Sequence, residues 1–160
     1  MKIKVFTTGG TIDKIYFDAK SQYEVGESHI QTLLTEMNVG FDYDVEALLR
    51  KDSLDMTDED RAFIFEKVNT AHSDKILITH GTDTMIATGK ILKTVTGKTI
   101  VLTGAMQPAL FRNSDAVFNI GCAIGAVQAL KHGVYIVING MIFDPDEVRK
   151  NERLRKFESL

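Results

Sequence analysis

Runs of apolar, β-branched residues alternate along the chain with stretches whose apolar positions recur at helical spacing. KIKVFTT (residues 2–8) reads as a first strand, and FDYDVEALL (41–49) as a second with imperfect alternation. KILITHG (75–81), TIVLTGA (99–105) and VYIVING (134–140) are short apolar runs that stop at glycine or polar residues. Such runs fit parallel strands buried on both faces. Between them the pattern predicts helices over Gly26–Met37, Thr57–Ala71, Thr84–Val95 and Ser114–Leu130. The second opens on Thr57-x-x-Asp60, a capping-box pattern that supplies acceptors to orphan backbone donors. The fourth starts at Ser114 as N-cap and carries Gly121, Cys122, Ala123, Gly125 and Ala126, small residues that would let a helix lie close to a sheet. Repeated strand–helix–strand units predict an α/β fold: a three-layer αβα sandwich of Rossmann or flavodoxin type around a mostly parallel sheet. No repeat, low-complexity tract or linker interrupts the pattern, so one domain over residues 1–160 is expected. The highly charged DPDEVRKNERLRKFESL (144–160) shows no clear order.

In open α/β sheets, ligands bind beyond the carboxyl ends of the strands, where strand order reverses. If the first two strands pair and the third returns to the far side of the first, the reversal lies between strands one and three. Strand one ends in TTGGTI and strand three in THGTDTM, so topology brings the two oddest turns in the chain together. Gly9 and Gly10 permit a sharp bend and close approach of a ligand to the backbone, and Gly81 plays the same role in the second turn. Thr11 would present its hydroxyl at the mouth of the cleft. Thr82 and Asp83 would stand at the start of a helix, where free N–H groups and the helix dipole favour an anion. Each turn also has a plainer reading, as a tight turn and as a helix cap; their pairing on neighbouring strands raises the functional one.

Composition and charge narrow the chemistry. The chain has 160 residues, a net charge of -3 and one cysteine, Cys122, so neither an intrachain disulfide nor a thiolate cage can form. No basic run with interleaved aromatics occurs, which argues against nucleic acid as a partner. MKIKVF enters a strand at once and no apolar stretch is long enough to span a bilayer, so a cytoplasmic protein with no membrane partner is expected. The sequence holds neither GxxxxGK[ST] nor GxGxxG, and TGKT at Thr96–Thr99 lacks the upstream glycine of a phosphate loop. His29, His72, His80 and His132 show no metal-ligand spacing. His80 borders the proposed site as an orienting or a purely structural residue. Tyr16 and Tyr23 fall in a polar segment that reads as a surface loop or as a lid over Thr11.

TTGGTI and THGTDTM resemble, in order and spacing, the two signatures of the bacterial-type L-asparaginase family, and the whole chain is similar to that family's N-terminal domain. YEVG (23–26) resembles the segment closing the flap, and DSLDM (52–56) the substrate-binding loop. GAMQPA (104–109), SDAVFNI (114–120) and GVYIVING (133–140) follow in family order. The resemblance implies hydrolysis of the side-chain amide of asparagine, with glutamine or other amides as further substrates and with neither cofactor nor metal. It implies Thr11 as nucleophile, Tyr23 beside it, and Thr82, Asp83 and Lys150 as their companions. Gly10, Asp52, Ser53, Gly81 and Ala105 would hold substrate, with Ser53 at the α-carboxylate and the Ala105 carbonyl at the leaving amide. A threonine hydroxyl needs a base or strong polarisation to attack; Lys150 serves either as that base or as a charge anchor for Asp83.

Two departures stand out. The family's second, C-terminal domain, which lends an acidic residue to a neighbouring subunit's site, has no counterpart in these residues. Leu54 stands where the family often has a glutamine that binds the substrate's amino group. These departures motivate an alternative, a small amino-acid (aspartate or asparagine) binding or regulatory module, while the lack of a phosphate loop disfavours a nucleotide-binding domain. Symmetric self-association is a further expectation from the resemblance.

Overall fold

The computed structural model describes every residue from Met1 to Leu160, and each expected strand and helix is present with shifted ends. In chain order the elements are β1 (Lys2–Gly9), β2 (Lys14–Phe17), β3 (Gln22–Val25), α1 (Ile30–Glu36), β4 (Asp42–Lys51), α2 (Asp58–Thr70) and β5 (Lys75–Thr79). They continue with α3 (Met85–Leu92), β6 (Thr99–Thr103), α4 (Ala116–Ala129), β7 (Gly133–Ile138), β8 (Met141–Phe143), β9 (Val148–Asn151) and β10 (Lys156–Ser159). The central sheet runs β4-β1-β5-β6-β7-β8, parallel through its first five strands and antiparallel only at β8. The strand order reverses at β1, which pairs with β4 on one side and β5 on the other.

Side chains alternate along each buried strand and so feed two cores. Phe6, Ile76, Ile78, Ile100, Leu102 and Ile136 pack with Ile64 and Val68 of α2 and Met85 and Leu92 of α3. Ile3, Val5, Leu77, Val101 and Val137 pack on the other face with Ile30 and Leu34 of α1 and Ala116, Ile120 and Ala123 of α4. Helices therefore cover both faces, the αβα sandwich that the run pattern predicts. The first turn of α2 closes a reciprocal capping box: Asp60 N–H donates to Thr57 Oγ1 at 3.2 Å, and Thr57 N–H to Asp60 Oδ2 at 2.9 Å.

Several details differ from the sequence expectations. The polar segment after Thr11 is a two-stranded antiparallel hairpin, β2–β3, with Tyr16 directly opposite Tyr23. Helix α1 begins at Ile30 rather than Gly26, because Gly26 N–H closes the hairpin onto the Asp13 carbonyl at 2.9 Å. The charged 144–160 stretch is ordered as a second hairpin, β9–β10, anchored by buried Val148 and Phe157. In α4 it is Ala123 and Ala126 that meet the sheet; Gly121 and Gly125 are exposed with no atom near them, so they do not mediate close packing.

Candidate active site

Four loops at the carboxyl ends of neighbouring strands meet at the reversal point. At the first, Gly9 and Gly10 take φ of +97° and +88°, a region that L side chains rarely enter. Gly10 N–H donates to Lys51 O at 2.9 Å, tying the turn to the end of β4, and a 3-10 turn, Thr11–Asp13, follows. A Cβ on Gly10 would overlap the Gly81 backbone, so the two glycine turns lie back to back with no room for a side chain between them. A Cβ on Gly81 would in turn lie 2.5 Å from Ser53 Oγ, which places the Asp52–Met56 loop against the second turn. Thr84 Oγ1 donates to the Ser53 carbonyl at 2.8 Å and locks these two loops together. The fourth loop follows β6. Gly104 abuts the His80 carbonyl and comes within 3.4 Å of Thr82 Cγ2 on adding a Cβ, while Ala109 N–H donates to Ile12 O at 2.9 Å.

Polar groups converge here without consuming one another. Ser53 Oγ is enclosed yet has no hydrogen-bond partner. The side-chain bonds among these turns run Thr8 to Thr79 O, His80 to Gly81 O and Thr84 to Ser53 O; the hydroxyls of Thr11 and Thr82 take no part in them. A buried, unpaired hydroxyl is costly in a finished protein interior, so Ser53 Oγ is a group that a polar ligand at these strand ends would satisfy.

Charge enters from two hairpins. Lys150 on β9 forms an ion pair with Asp83 Oδ1, its side chain only 12% exposed, and a longer 3.3 Å contact with Glu152. Lys14 on β2 pairs with Asp52 Oδ2 at 2.8 Å; this bond, helped by the Leu54 N–H, holds the Asp52 carboxyl below its usual range. Two further titratable groups flank the site. Burial keeps the fully enclosed His80 ring neutral, its pKa pushed down to about 4. Its Nδ1 lies 2.8 Å from the Gly81 carbonyl and must be the protonated nitrogen, so Nε2 accepts from Thr88 Oγ1 at 2.8 Å. Burial also raises the Asp13 carboxyl to about 6, against the opposing help of the Ser28 hydroxyl and His29 N–H.

The candidate residues thus divide into groups. Gly10, Gly81 and Ser53 pack against one another, Thr82 lies beside Gly104, and Asp83 is joined to Lys150. Thr11 follows Gly10 directly and is half-buried, and Asp52 caps the short turn that carries Ser53. Ala105 is buried, its side chain in the core against α4. Tyr23 is placed by aromatic neighbours. It is 49% exposed on the hairpin, packs edge-on against Phe111 at 5.8 Å and Tyr16 at 5.3 Å, and shares a groove with Lys14 and Asp52. Sequence reasoning missed Lys14, Thr84 and the pair Asp115 and Asn119. Thr84 lies inside THGTDTM, and Asp115 and Asn119 inside SDAVFNI, so their polar side chains were available as signals; nothing local marks Lys14.

A second polar recess, of ≈ 320 Å³, lies at the opposite, N-terminal ends of β1 and β4. Its Lys4 is taken up by Asp44 at 2.7 Å and Glu46 at 2.8 Å, and its Lys67 by Glu46 at 2.9 Å, which leaves a neutralised wall rather than a receptive site.

The αβα sandwich with glycine-threonine turns paired at its reversal point is the architecture expected from the two signatures. The chain belongs to the asparaginase family: the pattern described as Asparaginase, N-terminal matches residues 2–159. It is 31% identical over 159 residues to L-asparaginase 2 of Escherichia coli, covering 92% of this chain and 46% of that protein. It is 30% identical to a component of the glutamyl-tRNA(Gln) amidotransferase of Archaeoglobus fulgidus, covering 99% of this chain and 41% of that one. The solved thermostable L-asparaginase from Thermococcus kodakarensis superimposes with a TM-score of 0.86 at 28% identity, over 100% of this chain and 51% of that structure. The chain spans about half the length of the curated relatives it matches.

Proposed function

We propose that this protein is an L-asparaginase-like amidohydrolase that converts L-asparagine to L-aspartate and ammonia. The observation that carries the reading is the back-to-back contact of Gly10 and Gly81, which puts two free threonine turns beside the Asp83–Lys150 pair and the unpartnered Ser53 hydroxyl. In this reading Thr11 Oγ attacks the carboxamide carbon, and its proton passes toward the Thr82–Asp83–Lys150 group. Backbone N–H groups of the turns stabilise the oxyanion. The Thr82–Asp83–Lys150 group returns that proton to the amide nitrogen as the C–N bond breaks, and ammonia leaves beside the Ala105 carbonyl. Water then cleaves the acyl-threonine, releasing the carboxylate and restoring Thr11. Ser53, oriented by Asp52, receives the α-carboxylate, while Gly10 and Gly81, packed on each other and on Ser53, bring their turns close enough to share one substrate. Tyr23 enters as part of a flap that closes over Thr11. No step calls on a metal or cofactor.

The purified chain is expected to release ammonia from asparagine, and Thr11→Ala to reduce release to background while the protein stays folded. Full turnover by Thr11→Ala would remove that residue from the mechanism. A panel with glutamine and simple amides ranks substrates, since the family also holds relatives named for amidotransfer to tRNA.

One observation favours a second reading, an aspartate- or asparagine-binding module. Leu54 is 71% exposed beside the site and offers nothing to a substrate ammonium. Aspartate binding by calorimetry, without ammonia release at high protein concentration, supports this reading; Thr11-dependent turnover excludes it. A cytoplasmic setting and symmetric self-association belong to the same proposal, the latter checked by sedimentation of the full chain. No helix is long and apolar enough to cross a membrane.

A further inference from the structure

Lys150 reaches the site from a four-residue strand of a two-stranded hairpin, and such a hairpin is marginal by itself. Something must hold it at the right height over the sheet. Val148 and Phe157 supply an apolar anchor on the face from which Lys150 also projects, since Phe157 lies directly opposite Lys150. Apolar contact is non-directional and sets no register. A directional anchor is present as well. Phe157 N–H, turned away from β9, donates to Asn139 Oδ1 at 3.0 Å. Asn139 opens the tight turn between β7 and β8, in the left-handed region with φ 54°, and its own N–H donates to Asn119 Oδ1 at 3.1 Å.

Asn119 is fully buried on α4, and every contact fixes its amide. Only Oδ1 can accept the Asn139 N–H, and only Nδ2 can donate to the Gly104 carbonyl and to Asp115 Oδ2, both at 3.0 Å. Asp115 in turn gathers the N–H groups of Met106, at 2.9 Å, and Gln107, at 3.1 Å, instead of capping its own helix. Ser114 takes the capping role, accepting from Ala116 N–H at 3.0 Å.

We propose that Asn119 and Asn139 are positioning residues: a side-chain relay running from the N-terminus of α4 through the β7–β8 turn to Phe157, which sets Lys150 against Asp83 and holds the Gly104–Gln107 loop in the same frame. The consequence for turnover rests on the amidohydrolase reading; the placement of Lys150 does not.

The test labels lysine amines with a limiting dose of acetic anhydride and reads each site by peptide mass spectrometry. In the unaltered chain Lys150, paired and largely covered, labels slowly relative to exposed Lys90. Asn139→Gly keeps the left-handed backbone and removes only the acceptor for Phe157; it is expected to raise the Lys150 to Lys90 ratio severalfold. Asn139→Asp restores an acceptor and is expected to return the ratio to the unaltered value. Asn119→Leu, similar in volume, should raise it as Asn139→Gly does. An unchanged ratio in folded Asn139→Gly, or failure of Asn139→Asp to restore it, overturns the relay. Should Asn139→Gly not fold, amide exchange in the unaltered chain decides: the Phe157 amide must be protected, and free exchange there overturns the proposal. Where the chain turns over asparagine, Asn139→Gly should lower kcat, and should add nothing in a Lys150→Met background; an additive loss marks a merely structural role. Absence of ammonia release from the unaltered chain sinks the enzymatic reading alone, because labelling and exchange still judge the relay.

Discussion

Gly10 is under two separate demands, one conformational and one steric, and the protein offers a way to tell them apart. Its φ of +88° alone penalises any L side chain, and a Cβ there would also overlap the Gly81 backbone. Gly97 has a comparable φ of +72° with nothing within 4 Å, so it carries the conformational demand by itself. Gly97→Ala is therefore expected to cost about 1 kcal/mol, the lower end for a residue held in the left-handed region. Gly10→Ala should cost at least about 2 kcal/mol more, because backbone cannot swing aside as a flexible side chain can. Urea unfolding of the two variants measures the difference. Equal losses would mean that the glycine turns are not packed against each other, and the candidate site would lose its frame.

At the scale of elements, caps and turns decide where each piece starts, and they also explain what was legible beforehand. Thr57 and Asp60 exchange hydrogen bonds across the first turn of α2, and Lys51 holds Asp60 at 2.7 Å. Thr57→Ala is expected to lower stability by about 1 kcal/mol, read from the shift in the urea midpoint, with little effect on any ligand bound at Thr11. That cap was visible in the sequence because it is local, as were β1, β5, β6 and β7, whose apolar runs are largely buried on both faces, whereas the edge strand β4 is only half-buried and alternates imperfectly. The hairpins were obscured for physical reasons. Strands of four residues alternate too briefly to show a period, and the β2–β3 and β9–β10 connections place Ser21 and Arg155 at positive φ, where glycine or asparagine would have signalled a turn. β8 was different. Asn139-Gly140, with φ of 54° and 76°, is the type I′ signal for a two-residue hairpin, and it stood in plain view inside VYIVINGMIF. The two glycine turns of the candidate site announced themselves by composition. Lys14, Asp115 and Asn119 did not: Lys14 sits on a hairpin the sequence concealed and pairs with distant Asp52, while Asp115 and Asn119 act on backbone groups of the loop after β6 and the β7–β8 turn, whose approach only the fold reveals.

For the molecule as a whole, two buried groups pull acid stability in opposite directions. Asp13 has a folded pKa of about 6 against an ordinary 3.8, so the fold prefers it protonated. Its contribution is fully present below the unfolded value and is lost as pH rises through about 6. His80 has a folded pKa of about 4 against an ordinary 6.5, so the fold prefers it neutral; its contribution is present above 6.5 and is lost as pH falls toward 4. Between roughly these limits one group gains stability on acidification while the other loses it, each by up to about 1.4 kcal/mol per pH unit. The carboxylates of Asp44, Asp52, Asp60 and Asp144 are held below their usual range, so their losses fall at lower pH, and those of Glu24, Glu46 and Glu59, lowered from 4.5, enter only at the acid edge of this window. Asp13→Asn keeps an oxygen for the Ser28 hydroxyl and the His29 N–H but cannot titrate. Its urea midpoint should fall more steeply than that of the unaltered chain as pH drops from 6.5 toward 4. A parallel pH profile for the two proteins would show that Asp13 titrates at its ordinary value and that the turn carrying Thr11 is open to water.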